Sequence, residues 1–298
     1  MKEATVNSAI WRERRRRKPL AIHHLPKFSV SGVFAVLAGV YIVAVVACAM
    51  FPQWIAPYPP TEMLADRILQ EPGAAHWFGT DYFGRDVFSL VVYGSRDSLL
   101  IGIMSVLLGG LAGGTIGALA GYIGGAIDAF LMRAIDIVMT IPGILLALAI
   151  AAALGPSLRN IVLAIAVSAI PGYARVMRGQ VLSIKNRPFI TASRSIAVPA
   201  LRIFAVHVLP NTYSPLLVMA TLGLGSSILA GASLSFLGLG VLKEIPDWGT
   251  LLSQGRGYLT VAWWICTCPG LIITLFVLSV NLLGDRLRDH LDPKKGAQ

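Results

Sequence analysis

The sequence predicts an all-α membrane protein with six transmembrane helices. Hydrophobic residues make up 55% of the 298 positions and charged residues only 13%, whereas roughly a quarter of the residues in a soluble domain are charged. The apolar residues are concentrated in six stretches, each long enough to cross a bilayer as a helix of about 20 residues. Thirty glycines also suit close helix packing in lipid, where the hydrophobic effect does not drive helices together.

The six predicted spans divide the chain into a simple order of segments. The spans are 29–51, 98–123, 134–154, 158–178, 212–239 and 260–284. A basic N-terminal segment, 1–28, precedes the first span, a polar 52–97 segment separates the first two, and a tail, 285–298, follows the last. The core transmembrane domain is therefore predicted over 98–284, and it contains a long basic loop at 181–211.

The distribution of lysine and arginine predicts the orientation. Six basic residues lie within 12–18, and the span that follows is longer than the roughly 7–15 apolar residues of a cleaved signal peptide. With the N-terminus inside, nineteen Lys and Arg fall on the cytoplasmic side and six outside. This asymmetry predicts cytoplasmic termini, an outer 52–97 segment and a cytoplasmic long basic loop. The net charge of +10 is attributed to membrane orientation, since no aromatic residues for stacking on nucleic acid lie among the basic ones.

The second predicted span has glycine at four-residue intervals, which favours its burial in the helix bundle. The repeat consists of Gly109, Gly113, Gly117, Gly121 and Gly125. Small residues at this spacing let two helix backbones approach closely, so packing is the preferred role and pore lining the alternative. Pro142, Pro171 and Pro269 are expected to kink or break the helices that contain them.

The sequence contains no motif of an enzyme active site. It has no G-x-x-x-x-G-K-[ST] phosphate loop, no H-E-x-x-H zinc motif and no G-x-S-x-G elbow. Cys266 and Cys268 have no histidine beside them, which favours a packing role over a metal site. Asp128, Arg133 and Asp136 cluster near one end of the third span, where Arg133 and Asp136 are expected to pair at i,i+3. No catalytic residue and no metal ligand is predicted, so a partner must supply the energy.

The long basic loop is where we expect such a partner to bind. Its pattern predicts two short helices, 189–196 and 199–208, the second beginning at a proline that suits a first helical turn. A stripe of apolar and small residues is formed by Ile190, Ser193, Ala197, Leu201 and Phe204, with Arg187, Arg194 and Arg202 on other faces. Such a stripe fits a groove in a protein partner or, equally, the surface of the bilayer.

This loop resembles the EAA loop of ABC importer permeases. The family pattern reads E-A-A-x-x-x-G and is followed by I-x-L-P. Here Thr191 replaces the Glu, Ala192 matches, Ser193 replaces the second Ala and Ala197 replaces the Gly, a change that alanine tolerates where φ is negative. The resemblance implies that the ATPase contacts the matched positions, which are Thr191, Ala192, Ser193, Arg194, Ala197, Leu209 and Pro210.

Two further blocks resemble the dipeptide, oligopeptide and nickel branch of these permeases, in its second (C-type) subunit. The first block runs over 77–99 and resembles G-T-D-x-x-G-R-D-x-x-S-R…G-A-R-x-S-L. The second comprises Asp247-Trp-Gly249, Ala262-Trp-Trp264, Pro269-Gly270 and residues 281–293. The blocks follow one another in the family's order over about residues 75–295, which makes the resemblance more specific than any one motif.

The resemblance implies the type I ABC importer transmembrane fold, in which a five-helix core is preceded by an N-terminal helix. It also implies four kinds of contact: a homologous second permease, two cytoplasmic ATPases, an extracytoplasmic substrate-binding protein, and membrane lipid. ATP and Mg²⁺ would be bound by the ATPases, and no cofactor by this chain. Peptides are the expected solute, with nickel chelates, opine-like compounds and glutathione left open.

In the 52–97 segment, Asp81, Gly84, Arg85 and Asp86 lie within the first of these blocks. The preferred interpretation is a folded segment held by internal Arg–carboxylate pairs, and the alternative is direct contact with the binding protein.

Two other functions fit the whole chain less well. A transporter driven by an ion gradient should have carboxylates at mid-membrane and an internal repeat, and neither is seen. A membrane scaffold without transport would leave the EAA-like loop unexplained.

Overall fold

The computed structural model describes residues 30–241 and 243–291, and within them the fold is helical apart from one isolated β-bridge between Thr80 and Asp86. The helices are α1 (Val30–Met50), α2 (Pro52–Ile55), α3 (Val87–Ile123), α4 (Gly125–Met139), α5 (Gly143–Leu154), α6 (Leu158–Lys185), α7 (Pro188–Ser195), α8 (Ala200–Arg202), α9 (Leu209–Leu234), α10 (Trp248–Gly255) and α11 (Trp264–Leu291). π-helical turns at Ile203–Val208 and Ser235–Leu239 flank α9.

The chain divides into two compact units, Met1–Phe34 and Ala35–Gln298. The described part of the first unit is the start of α1, and the predicted basic segment 1–28 lies outside the described residues, as does the end of the tail, 292–298. The second unit holds every other helix. The predicted all-α fold class is confirmed for the described residues.

Five stretches of helix are long and apolar enough to cross a membrane. They lie in α1, α3, α6, α11 and the stretch from Ala200 to Leu239. Helices α4 and α5 are each too short to pass the same test alone and pass it only as a pair, whose axes meet at 84° across a break at 140–142. The described residues therefore hold five candidate spans, or six when the bent pair counts as one.

Helix α3 begins at Val87, well before residue 98, where the second span is predicted to start. Asp86 is the N-cap, and its Oδ2 accepts a hydrogen bond from the Ser89 amide at 2.7 Å, which satisfies one of the free donors at a helix start. Polar residues in 93–97 concealed this extension from a hydropathy criterion. Val87 and Leu90 are nevertheless fully buried, so the added turns pack into the protein.

The third predicted span, 134–154, is not one helix. Helix α4 already starts at Gly125, and the chain breaks after Met139 before α5 begins at Gly143. Pro142 has φ −52° and ψ 129°, which is an extended conformation. Proline lacks the N–H that would continue the ladder, so a break here follows from the sequence, and the expectation for Pro142 is confirmed. Helices α6 and α11 instead continue through Pro171 and Pro269.

The glycine repeat of α3 packs against the backbone of α6. A Cβ added to Gly113 would lie 2.5 Å from the Ile170 carbonyl oxygen, and one added to Gly117 would lie 2.2 Å from that of Ala174. Any larger residue would force the two helices apart. The predicted packing role is confirmed for this repeat up to Gly121, whereas Gly125 has φ +58° and no neighbouring atom within 4 Å.

Candidate functional site

The 52–97 segment is held together by a buried ion pair. The guanidinium Nε and Nη2 of Arg85 both lie 2.7 Å from Oδ2 of Asp81. The other oxygen, Oδ1, accepts hydrogen bonds from the Phe83 and Arg85 amides, each at 2.8 Å. Both side chains are almost fully buried. This geometry supports the structural interpretation preferred from the sequence, while contact with a binding protein stays a prediction.

Asp86 uses both of its carboxylate oxygens within the protein. Oδ2 accepts from the amide and hydroxyl of Ser89, and Oδ1 lies 2.9 Å from Nδ1 of His76. The His76 ring is buried and packs against Tyr58, with 4.8 Å between ring centroids. Sequence reasoning gave His76 no role, because ten residues separate it from Asp86 and no regular spacing links them.

Gly84 occupies a turn that only glycine fits. Its φ is +77°, and a Cβ would lie 2.0 Å from the Leu64 carbonyl oxygen. The left-handed conformation is unfavourable for other residues, and the contact would add a direct overlap. The four residues singled out in this segment therefore form one compact corner.

The C-terminal block covers this corner. Trp264 donates from Nε1 to the Thr80 backbone carbonyl at 2.9 Å, and Trp248 donates from Nε1 to the Val91 backbone carbonyl. Arg85 Nη1 donates to the backbone carbonyl of Glu244 at 3.0 Å. Asp247 caps α10 by accepting from the Gly249 amide at 2.8 Å, and burial raises the pKa of the Asp247 carboxyl. The two sequence blocks lie far apart in the chain and meet here. The family resemblance included both blocks but did not predict that they contact each other.

The long basic loop contains the two predicted short helices, displaced by about one residue. They are α7 (Pro188–Ser195) and the stretch formed by α8 and the turn Ile203–Val208. Their inner sides are apolar and bury Ile190, Ile203 and Val208 in a cluster with residues of α3 and α6. The Tyr122 hydroxyl at the end of α3 donates to the Ala200 carbonyl. The loop is thus attached to the ends of two long helices.

The predicted contact positions lie on the outer side of this loop, which is the side that faces away from the helix bundle. Thr191, Ala192, Arg194, Ala197, Leu209 and Pro210 are exposed, and Ser193 is half-buried with its hydroxyl donating to the Phe189 carbonyl at 2.9 Å. The expected single stripe is wrong, because Ile190 is fully buried whereas Leu201 is 78% exposed. A turn at 196–199 separates α7 from α8, so one helical period does not extend across it.

Ala197 has a positive φ of +57°. The expectation that alanine is tolerated there rested on a negative φ, and that condition is not met. Glycine has no Cβ and adopts this region readily, while alanine costs about 1–2 kcal/mol. The Gly of the family pattern is therefore explained by the backbone, and this chain has a strained residue at the corner of its loop.

Two ion pairs join α4 to α6. Arg178 contacts Asp128 through Nε and Nη2, both at 2.6 Å, and Arg175 Nη2 lies 2.7 Å from Asp136. The expected i,i+3 pair between Arg133 and Asp136 is wrong, since Asp136 pairs across to another helix. The carboxylates are thus used to hold the bent pair of helices against α6.

A cleft of about 530 Å³ opens at the break between α4 and α5. Its walls come from the break itself and from the middle of α6 and α9, and its polar residues include Ser168, Tyr173, Ser226 and Ser227. No group of three or more His, Cys, Asp or Glu that could hold a metal is found in residues 30–241 and 243–291. The lining of the cleft is therefore largely apolar, with a few hydroxyl groups.

A bundle of apolar helices with a cleft at its middle, and a loop anchored to the helix ends, defines a membrane transport component. Residues 113–296 match the family described as "Binding-protein-dependent transport system inner membrane component". The chain belongs to this family and is an inner-membrane permease component of an ABC importer. Permeases of this family work with ATPase and substrate-binding partners.

Named relatives and a solved structure agree with this assignment. The chain is 49% identical over 266 residues to the dipeptide transport system permease protein DppC of Escherichia coli K12, covering 87% of this chain and 89% of the relative. It is 45% identical to the di/tripeptide permease DppC of Pseudomonas aeruginosa UCBPP-PA14, over 85% and 86% of the two chains. It is 42% identical to the glutathione permease GsiD of Escherichia coli O1:K1, over 87% and 86%.

A chain of the inward-facing MetNI methionine ABC transporter has the same fold, with a TM-score of 0.56. The match covers 68% of this chain and 96% of that one, at 21% identity. This likeness concerns the fold alone. It agrees with the type I importer fold that the sequence resemblance implied.

Proposed function

We propose that this chain forms half of the translocation pathway for di- or oligopeptides, as one of two homologous permeases. In this proposal six spans place both termini in the cytoplasm and the 52–97 segment outside. Two cytoplasmic ATPases bind ATP and Mg²⁺ and dock on the long basic loop, and an extracytoplasmic binding protein delivers the solute to the opposite face.

The proposal rests chiefly on the two-sided construction of the long basic loop. Its outer side is exposed at six of the seven predicted contact positions, and its inner side is tied to the bundle by fully buried Ile190 and Val208. A displacement of the loop would therefore carry the ends of α3 and α6 with it. This is the mechanical link that a permease without its own phosphate loop requires.

The cleft is the part of the solute pathway that this chain contributes in the proposal. It lies near the middle of α6 and α9, where a passing solute would have to cross the apolar interior. The hydroxyls of Ser168 and Ser226 line it and bond within their own helices, to the Ile165 and Gly223 carbonyls. A lining with few polar groups suits transport, since tight binding inside the membrane would slow release. Selectivity then comes mainly from the delivering protein.

Peptides are the solute that we infer, because relatives at 45–49% identity are dipeptide or di/tripeptide permeases. Glutathione is the second candidate, since a glutathione permease is 42% identical over a similar share of the chain. Binding assays on the cognate binding protein, with dipeptides and glutathione side by side, separate the two. A preference for glutathione would contradict the peptide assignment.

The ATPase dock is tested by adding bulk at Ala192, which is exposed on α7. Ala192→Trp should abolish ATP-dependent uptake into proteoliposomes and weaken co-purification of the ATPases, because the indole blocks the contact while the spans are untouched. Val40→Trp adds the same bulk to a residue of α1 that is 63% exposed, and it should leave both readouts unchanged. Normal uptake by Ala192→Trp would show that the loop is not the dock.

Orientation is tested by labelling single cysteines in sealed cells. Ser195→Cys on α7 should react only after the inner membrane is made permeable, and Glu71→Cys should react from outside, since both positions are exposed. The native cysteines at 48, 266 and 268 are replaced by serine in both variants. The reverse labelling pattern would overturn the proposed orientation.

A further inference from the structure

The long basic loop has an uncompensated positive charge. It contains no Asp or Glu between 181 and 211. Arg187, Arg194 and Arg202 are all exposed, and none forms an ion pair with another residue in the described ranges 30–241 and 243–291. Three guanidinium groups therefore point away from the bundle without a carboxylate of their own chain.

The charges that could have neutralised them are used elsewhere. Asp128 and Asp136, on the neighbouring α4, are bound by Arg178 and Arg175 of α6. Lys185, at the end of α6, donates to the Tyr122 carbonyl and lies over the Tyr122 ring. Among the described residues, Arg175 and Arg178 of α6 are therefore paired with carboxylates, whereas the three loop arginines are not.

Two apolar side chains accompany these arginines. Ile196 is 77% exposed at the end of α7, and Leu201 is 78% exposed in α8, on either side of the turn at Ala197. Large side chains this exposed, flanked by charged groups, are typical of a surface that a partner covers. The other exposed residues of α7 include Phe189, which is 42% exposed, and the small or polar Thr191, Ala192 and Ser195.

A lipid surface fits this arrangement poorly. A helix that lies in the membrane interface needs a continuous apolar face directed at the acyl chains. In α7 the apolar residue Ile190 faces inward and is fully buried, and the helix has only eight residues. A protein groove accommodates a few exposed apolar side chains among cations better than a bilayer does.

We propose that the ATPase surface receiving this loop is an apolar groove with an acidic rim, in which carboxylates pair with Arg187, Arg194 and Arg202. This inference rests on the proposed function. It deepens that function by giving the chemistry of the partner, since guanidinium and carboxylate form strong two-point hydrogen bonds. It also accounts for the absence of a glutamate at Thr191, where a carboxylate of this chain would repel an acidic groove.

The test measures ATPase affinity against salt. The full chain is reconstituted in nanodiscs with its second permease, and binding of the cognate ATPases is titrated at KCl concentrations from about 0.05 M to about 0.5 M, a range over which exposed charges become screened. For the unmodified chain we expect affinity to fall at least about tenfold over this range. The triple variant Arg187→Gln, Arg194→Gln, Arg202→Gln should bind more weakly at low salt and lose most of the salt dependence.

Two controls make the result specific. Arg159→Gln removes an exposed arginine at the start of α6, outside the loop, and should change nothing. A triple Arg→Lys variant keeps the charge and should keep the salt dependence.

An ATPase affinity that is independent of salt and equal in the unmodified chain and the Gln variant would overturn the acidic groove while leaving the dock intact. No ATPase binding at any salt would overturn the proposed function itself. Salt dependence that vanishes in nanodiscs without anionic lipid would assign the arginines to lipid and overturn the proposal.

Discussion

The 52–97 segment and the long basic loop are both polar connections between apolar helices, yet they treat their charges in opposite ways. In the 52–97 segment, Asp81, Arg85 and Asp86 are buried and bonded within the chain. In the long basic loop, Arg187 and Arg194 are exposed without an ion pair among the described residues. The first connection has its central charged residues bonded within the protein, and the second has an outer face that the other described residues do not cover.

The backbones of the two connections differ at one corner of each, although the 52–97 segment also has a non-glycine residue at positive φ, Leu69 at +53°. Each connection has a residue with positive φ at a sharp corner: Gly84 at +77° and Ala197 at +57°. The first corner has the residue that suits it and is enclosed by Leu64. The second has a strained alanine that faces outward. A connection whose charged residues are buried and bonded within the protein suits a fixed part of it. A connection with exposed, unpaired charges suits a surface that a partner covers.

The largest effect is expected from breaking the buried ion pair. Asp81→Asn should lower the apparent free energy of unfolding in detergent by about 3–5 kcal/mol, because it leaves the Arg85 guanidinium buried without a counter-charge. Asp66→Asn is the matched control, since Asp66 is exposed and 3.9 Å from Arg67, and exposed pairs contribute about 0–1 kcal/mol. Equal small effects from the two variants would show that the segment is not held by this pair.

A smaller loss is expected at the corner of the same segment. Gly84→Ala should cost about 2–4 kcal/mol, from the left-handed backbone and from overlap with the Leu64 carbonyl. Gly73→Ala serves as the control, because its Cβ would lie 3.8 Å from the nearest atom, in ordinary contact. Thermal unfolding of the purified variants measures both. A Gly84→Ala protein as stable as its control would remove the claim that this corner is rigid.

The smallest effect has the opposite sign and lies in the other region. Ala197→Gly should stabilise the long basic loop by about 1 kcal/mol, because glycine accepts the positive φ without strain. Slower hydrogen exchange over residues 186–208 would report it. Ala200→Gly, in the short helix α8, should instead speed exchange, since glycine weakens a helix. Faster exchange in both variants would show that Ala197 is not strained.

The sequence predicted the helical class, the apolar stretches and the two short helices of the loop, because each depends on local pattern. It missed the start of α3 at Val87, since the polar residues 93–97 separate the first turns of this helix from the predicted span. It could not find the break of the third span in detail, although Pro142 gave the signal. Pro171 gives the same signal and yet lies in a continuous helix.

The candidate sites were predictable only in part. The charge of the loop was readable from sequence, and so were the residues of the 52–97 segment. The sequence did not show which residues contact each other when they are distant in the chain. Asp136 pairs with Arg175 instead of Arg133, and Trp264 reaches the Thr80 carbonyl, 184 residues away. Such contacts depend on how helices pack, which no local spacing specifies.

The central claim is that the long basic loop is the surface that receives the ATPase. A photo-reactive amino acid is placed at Thr191, exposed on α7, and in a second variant at Phe83, 44% exposed in the 52–97 segment. Each variant is irradiated in membranes that contain the whole transporter. The prediction is a cross-link to the ATPase from position 191 and none from position 83. An ATPase cross-link from position 83, or its absence from position 191 in an assembled transporter, would contradict the claim.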